Sequence, residues 1–379
     1  MELDYRYPAI SDLKSRARRR VPCYIWEYLD SANGTESAKT RAEAALDAVQ
    51  LSPDILLGAV TAELSTEFLG HTYQAPFGIA PVGMSGAFWP DAEALLARTA
   101  VETQIPYCLS TVSATTPEDV APHLGQQGWF QLYPSGDTKI RQDMLARVKA
   151  AGFHTLVLTV DVPALSWRER EKRVQLKNPM ALTPSIILQS ALRPVWAFGQ
   201  VQQPALRPRI FDKYADPSGT SGHDKHIGQT LRVVPDWEYL DILRREWDGS
   251  LIVKGVLDAA PVPRLIEAGA DAIWVSNHGG RQFEAAPAPL DVLPAIRDAA
   301  GLDYPLICDG GVRSGTDVLR MMARGADFVM LGRAFHYGLA AAGAAGAAHV
   351  VRLLSQQMVL DMAQLGIARP SEAHTRLPA

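Results

Sequence analysis

Along this chain, short apolar runs recur at intervals that predict the fold before any single residue is weighed. Eight of them, rich in β-branched and aromatic residues, stand at Phe77–Pro81, Tyr107–Thr111, Trp129–Tyr133, Thr155–Asp161, Leu251–Gly255, Ala272–Asn277, Pro305–Asp309 and Phe328–Gly332. Their hydrophobicity is continuous rather than alternating, the pattern of strands buried on both faces of a parallel sheet. Most are separated by enough chain for a helix. Several of these helices end in glycine and lead straight into the next run: Lys149-Ala-Ala-Gly152, Glu267-Ala-Gly-Ala-Asp271 and Ala323-Arg-Gly-Ala-Asp327. Glycine is the residue that most readily closes a helix C-terminus. Repetition of strand, helix and glycine predicts an α/β fold, and eight repeats fit a closed (β/α)8 TIM barrel better than an open doubly wound sheet. The alternative is an open sheet of fewer strands. Residues 1–379 are read as one domain, with a helical N-terminal segment and a long insertion after the fourth strand.

Polar residues interrupt the pattern at particular places. Gln131 and Tyr133, Thr159 and Asp161, Lys254, Ser276 and His278, Asp309, and Gly332 with Arg333 all fall at the C-terminal ends of their runs. In a barrel those ends converge on one face, where catalytic groups sit. The rhythm breaks between the fourth and fifth runs, where residues 162–250 exceed what one helix needs. Residues 177–235 are the insertion proper. Within Lys177–Lys213, the bases Lys177, Arg193, Arg207, Arg209 and Lys213 face the single acid Asp212, interleaved with Ile186-Ile187-Leu188 and Val195-Trp196-Ala197-Phe198. Such a mixture suits a lid, an oligomer contact, or a patch that docks on an anionic membrane surface. The glycine-rich Ala215–Gly228 reads as a mobile connection.

Composition narrows the picture only slightly. A net charge of −4 points away from nucleic acid. Cys23, Cys108 and Cys308 are too few and scattered for a disulfide framework or a metal cluster, and Cys108 and Cys308 lie in apolar runs that predict buried, inert thiols. The charged N-terminal stretch lacks the apolar core of a secretory signal, and no window reaches the roughly 18 apolar residues of a spanning helix. A cytoplasmic location is expected, on these grounds, with peripheral contact at the inner face of the cytoplasmic membrane as an option.

Two motifs carry the chemistry. Ser276-Asn277-His278-Gly279-Gly280-Arg281-Gln282 sets an imidazole and a guanidinium three residues apart at a strand end. With Asp161 at another strand end, this reads as a base, an orienting carboxylate and a substrate clamp rather than a structural histidine. Asp309-Gly310-Gly311-Val312-Arg313-Ser314-Gly315 follows the seventh run and Gly332-Arg333 the eighth. Glycine allows backbone N–H groups to approach an anion, and these loops are the usual phosphate site of the barrel. Lys254 ends an apolar run, where an unpaired ammonium would be costly, so it is expected to face a polar ligand.

From Tyr28 to about Gly366 the sequence resembles the FMN-dependent α-hydroxy acid dehydrogenases and oxidases, a family that includes glycolate oxidase, L-lactate dehydrogenase and (S)-mandelate dehydrogenase. SNHGGRQ matches the active-site signature, DGGVRSGTDV the phosphate loop, and LTVDVP with Arg168, FQLY and LIVKG the segments of strands four, three and five. The resemblance implies that His278 takes a proton from the substrate while Asp161 stabilises the imidazolium. It further implies that Arg281 and Tyr28 bind the substrate carboxylate, that Arg168 assists, and that Tyr133 contacts the substrate hydroxyl. Lys254 would lie along the flavin N1–O2 edge. Val82, Gly83, Ser110, Gln131, Thr159 and Ser276 would line the isoalloxazine and ribityl chain, Asp309 would contact the ribityl, and Gly311, Arg313, Gly332 and Arg333 would hold the phosphate. FMN is the implied cofactor, no metal is implied, and a homotetramer is the implied assembly.

The implied reaction is oxidation of an (S)-2-hydroxy acid to the 2-oxo acid, with electrons passed to quinone or another acceptor. Carbanion and hydride routes would use the same residues. Gly83 stands where oxidases of the family carry alanine, and Val112 where glycolate oxidase carries tryptophan, so a roomier pocket and a lactate-sized or aromatic substrate are expected. Gly86-Ala-Phe-Trp-Pro90 and Arg193-Pro-Val-Trp196 also resemble mandelate dehydrogenase, whereas Gln282-Phe283-Glu284 departs from the usual Gln-Leu-Asp. Three alternatives stand beside this reading: an oxidase releasing hydrogen peroxide, an FMN barrel that isomerises or binds without net oxidation, and a scaffold without catalysis.

Overall fold

A computed structural model describes residues 2–174, 183–203, 206–214 and 233–378. Lys177 and the glycine-rich 215–228 lie outside the described residues.

All eight predicted strands form: β1 (Phe77–Ile79), β2 (Tyr107–Ser110), β3 (Gly128–Leu132), β4 (Thr155–Thr159), β5 (Ser250–Val256), β6 (Ala272–Val275), β7 (Leu306–Asp309) and β8 (Phe328–Leu331). Each pairs in parallel with the next, and β8 pairs with β1, so the sheet closes into the expected barrel. Most strands are a residue or two shorter than their apolar runs, because Tyr133, Asp161, Ser276 and Asn277 already belong to the loops.

Side chains two positions apart share a face of a strand. Cys108, Trp129, Val157, Ile252, Ala272, Trp274, Ile307 and Phe328 therefore point into the barrel and form a closed apolar interior. The positions two residues further on from six of them are Ser110, Gln131, Thr159, Lys254, Ser276 and Asp309, all buried. A floor of large apolar side chains thus carries a ring of polar ones at the C-terminal mouth. Cys108 and Cys308 are buried, as expected, and Cys23 is exposed.

Two features were not legible in the pattern. An antiparallel hairpin, Thr66–Phe68 with His71–Tyr73, closes the N-terminal end of the barrel. It inserts Phe68 and Tyr73 against Trp129 and Phe328, and the Trp129 indole donates to the Tyr73 hydroxyl at 3.1 Å. The second is the course of the N-terminal helices: Ile10–Arg20 and Cys23–Asp30 run beside the helix Arg333–Ala342, and Ser37–Ala48 packs against the His278–Gly280 turn and the helix Pro289–Ala300.

The insertion contributes two short helices, Pro184–Ala191 and Pro194–Val201. One face docks on the body: Ile186 and Trp196 are buried, and the Trp196 indole donates to the Ala87 carbonyl at 3.0 Å. The opposite face presents Ile187, Leu188, Leu192, Val195, Phe198 and Val201 to solvent. Three of the five bases expected to share that face pair with acids instead. Arg207 pairs with Asp212, Arg209 with Asp119 and Lys213 with Asp143. Asp119 and Asp143 lie on barrel helices and Asp212 within the insertion, while Arg193 stays half-exposed between the two helices and donates to the Leu192 carbonyl at 3.0 Å, so the outer face is mainly apolar with one base beside it.

Candidate active site

The SNHGGRQ motif forms a tight turn immediately beyond β6. The Asn277 side chain accepts from Gly280 N at 3.0 Å, and the His278 backbone N–H donates to Ser276 Oγ at 3.0 Å. His278 itself has φ 58°, a left-handed conformation that costs a non-glycine residue about 1–3 kcal/mol and is retained where surroundings demand it. The outcome is an imidazole aimed across the mouth at β4, with Nδ1 3.0 and 3.2 Å from the two oxygens of Asp161. Close approach of Asp161 depends on β5, where Gly255 takes φ +110° and a Cβ would lie 2.6 Å from the Asp161 Cβ. Burial alone would raise the Asp161 carboxyl, but the His278 imidazole and the Lys254 ammonium outweigh it and hold its pKa below the usual value. A carboxylate at Nδ1 fixes the neutral tautomer with its proton there and leaves Nε2 as the acceptor.

Arg281 lies one turn on. Its Nη1 donates to the carbonyls of Tyr28 and Ser31 at 2.8 and 3.1 Å, and its Nη2 donates to Glu171 Oε1 at 2.9 Å. Burial, reinforced by neighbouring Arg168, pulls its pKa down to about 10. The Tyr28 ring lies 5.3 Å from the Arg281 guanidinium and 5.9 Å from that of Arg168. Tyr28, Arg168 and Arg281, far apart in sequence, are therefore brought together. Arg170, the other candidate in the same charge run, turns to Glu27, Asp30 and Glu36 instead. Tyr133 stands just past β3, its hydroxyl pushed well above the usual range by burial and by Asp161.

Beneath these groups lies the polar ring. Lys254 donates to Ser276 Oγ at 2.9 Å, Ser276 Oγ donates to Asp309 Oδ2 at 3.0 Å, and the Trp274 indole supports the same oxygen at 3.0 Å. Lys254 is thus held by protein partners as well as facing the mouth. Ser110 donates to Gln131 Oε1 at 2.8 Å. Three buried polar atoms of the ring have no partner: Gln131 Nε2, Thr159 Oγ1 and Asp309 Oδ1. Each such atom costs about 1–3 kcal/mol unless a ligand satisfies it. A donor, a hydroxyl and a carboxylate oxygen in one buried ring suit a flavin, whose ring edge both donates and accepts and whose ribityl chain carries hydroxyls. The residues present fit FMN.

The phosphate loops follow β7 and β8, with Gly332 preceding the helix Arg333–Ala342. Their arginines are engaged by the protein. Arg313 pairs with Asp47 at 2.7 Å, and Arg333 donates to the carbonyls of Ser31 and Gly279 at 2.8 and 2.9 Å. Val82 abuts this end, with its Cγ2 3.3 Å from where a Cβ on Gly332 would stand. At Gly83 the expected extra room is taken up: a Cβ there would lie 2.7 Å from Val112 Cγ2, so the valine fills the space that glycine leaves.

Sequence reasoning missed Glu171, whose Oε1 accepts from Arg168 at 2.8 Å, Arg281 at 2.9 Å and Ser31 Oγ at 3.2 Å. Its place in the charge run offered no sign of this. Glu284, the departure beside the motif, accepts from Thr35 N at 2.7 Å and from Ser37 Oγ at 3.3 Å. It anchors the N-terminal loop that passes over the site.

A family model described as FMN-dependent dehydrogenase matches residues 17–377. The chain belongs to that family. L-lactate dehydrogenase of Pseudomonas aeruginosa is 36% identical over 360 residues, covering 94% of each chain. The crystal structure of the monotopic membrane protein (S)-mandelate dehydrogenase superposes with a TM-score of 0.90 at 32% identity, covering 98% of both chains. A mandelate oxidase variant with (S)-mandelic acid superposes with a TM-score of 0.81 at 30% identity, covering 98% of this chain and 99% of that one. As a member of the FMN-dependent dehydrogenase family the chain is an oxidoreductase that uses FMN and acts on the CH–OH group of 2-hydroxy acids. The isomerase and scaffold alternatives are thereby set aside. No helix among the described residues is long and apolar enough to cross a membrane.

Proposed function

We propose that the chain oxidises an (S)-2-hydroxy acid of lactate size or larger to the 2-oxo acid and passes the electrons to a quinone at a membrane surface. The observation that carries this reading is the His278–Asp161 pair, 3.0 Å apart, at the same mouth as the half-buried Arg281. The guanidinium of Arg281, with Tyr28 beside it, receives the substrate carboxylate, for which arginine is the better partner by geometry. That anchoring sets the adjacent carbinol against His278, whose Nε2 takes the proton from the hydroxyl or the α-carbon. Asp161 holds the imidazolium that results. Tyr133, kept protonated by its surroundings, donates to the substrate oxygen. FMN, when bound, would supply the acceptor for the two electrons. Val82, Gly83, Ser110, Gln131, Thr159, Lys254, Ser276 and Asp309 would hold its ring and ribityl chain, and Gly311, Arg313, Gly332 and Arg333 would hold its phosphate.

Substrate size is supported by the names of the relatives, lactate and mandelate enzymes. Membrane delivery is supported by the apolar outer face of Pro184–Ala191 and Pro194–Val201 and by the monotopic character of the (S)-mandelate dehydrogenase.

Anaerobic stopped-flow mixing with lactate, mandelate and longer 2-hydroxy acids tests the reading. Substrate should bleach the flavin. His278→Gln should retain yellow FMN while bleaching slows by about 10²–10⁴-fold, the usual contribution of a general base. Fast bleaching by that variant would remove His278 from its role. Reoxidation by quinone much faster than by air is the expected result for the acceptor. Peroxide released stoichiometrically in air would make the chain an oxidase instead.

A further inference from the structure

The arginine clamp contains a carboxylate of its own. One oxygen of Glu171 receives N–H groups from Arg168 at 2.8 Å and Arg281 at 2.9 Å and the Ser31 hydroxyl at 3.2 Å. Three donors on one oxygen make a rigid junction, and the two guanidiniums it joins both lie against the Tyr28 ring. Among the described residues, no hydrogen bond occupies Arg281 Nε, so its Nε–H and remaining Nη2–H edge stays open for one further carboxylate. Within the hydrogen-bonded junction the charges are two positive and one negative, the neighbouring Arg333 being taken up by the FMN phosphate in the proposed reading. The net charge of +1 matches one substrate carboxylate and leaves nothing for a second, while Glu171 and the nearby Asp161 would both repel it.

We propose that Glu171 is a specificity-determining residue which, by neutralising one arginine of the pair, restricts the site to 2-hydroxy acids with a single carboxylate. The proposal rests on the reading of Arg281 as the carboxylate clamp. A 2-hydroxy diacid brings a second negative charge into a site whose second cation is already engaged. Removing the Glu171 charge frees that cation without changing the shape of the side chain.

The test is the ratio of kcat/KM for malate to that for lactate, measured on the holoenzyme with a dye acceptor, for wild type, Glu171→Gln and the double variant Arg168→Met/Glu171→Gln. Glu171→Gln should raise the ratio at least about tenfold, chiefly through a lower KM for malate. The double variant, with net charge +1 restored, should return towards the wild-type ratio. A merely structural Glu171 would instead lower both substrates together and leave the ratio flat in both variants. That result overturns the proposal, as does a double variant that keeps the raised ratio. Should Glu171→Gln fail to fold, Arg168→Met alone decides it: with the junction at net zero its malate-to-lactate ratio should fall below that of wild type, and an unmoved ratio overturns the proposal. Wild-type enzyme that bleaches with no 2-hydroxy acid would be a failure of the functional reading itself. Wild-type enzyme that bleaches with lactate alongside an unmoved ratio would be a failure of this inference alone.

Discussion

His278 and Gly83 show how far a single position can be forced by its neighbours. The histidine accepts a left-handed backbone, φ 58°, because that conformation turns its ring towards Asp161. Gly83 is constrained through packing, since a methyl there would meet Val112 Cγ2 at 2.7 Å and the Tyr28 hydroxyl at 3.6 Å. Valine is stiff at χ1 and yields poorly. Gly83→Ala should therefore destabilise the fold by about 1–3 kcal/mol, the usual range for overpacking. Val112→Ala in the same chain should recover most of the loss. Urea midpoints of the two single variants and the double variant check this, and equal midpoints for wild type and Gly83→Ala would show that Val112 does not fill the space.

Among elements, the insertion helices Pro184–Ala191 and Pro194–Val201 have a docked face and a bare one. Phe198 and Val201 are 71% and 85% exposed, more apolar surface than an isolated helix face ordinarily offers to water. Burying a side chain of this kind in an apolar phase contributes roughly 1.5–3 kcal/mol. Phe198→Ser with Val201→Ser should move the protein from the vesicle fraction to the supernatant in a sedimentation assay, while flavin bleaching by substrate is unchanged. Because Arg207, Arg209 and Lys213 are paired with acids, wild-type binding should resist raised salt. Vesicle binding that disappears in high salt would show an electrostatic attachment instead.

On the scale of the whole molecule, buried histidines couple stability to pH. His336 sits between Ser85 Oγ at 2.7 Å and the Gly332 carbonyl at 2.9 Å, and burial lowers its pKa to about 4. His154, lowered to about 4 by burial and by the like charge of the neighbouring His71, behaves alike. Between pH 6.5 and 4 the unfolded chain takes up protons that the folded chain refuses, so stability falls as pH drops through that window. For His336 the effect is on the order of 2 kcal/mol by pH 5. Urea unfolding at pH 7.5 and 5 should show the loss, and His336→Gln should remove about half of it, His154 supplying the rest; an identical slope in the variant would clear His336. The strands and their polar ends were legible in the sequence because a strand buried on both faces must be apolar throughout, and because a polar residue ending such a run needs a reason to be there. Glycines beside His278 and at the phosphate loops were legible for the same kind of local reason. Tyr28 and Arg168 were placed by family resemblance, whereas Glu171 and the closing hairpin were not found at all. Those depend on contacts between segments distant in the chain: Glu171 looks like any exposed acid until the Cys23–Asp30 helix and the β6 turn meet around it. Local sequence determined the barrel, the base and the polar ring, since each answers to periodicity or to the burial of one strand. Only the tertiary structure decided the charge of the clamp, the filling of the Gly83 space and the bare face of the insertion, since each is a balance among side chains that the fold alone brings into contact.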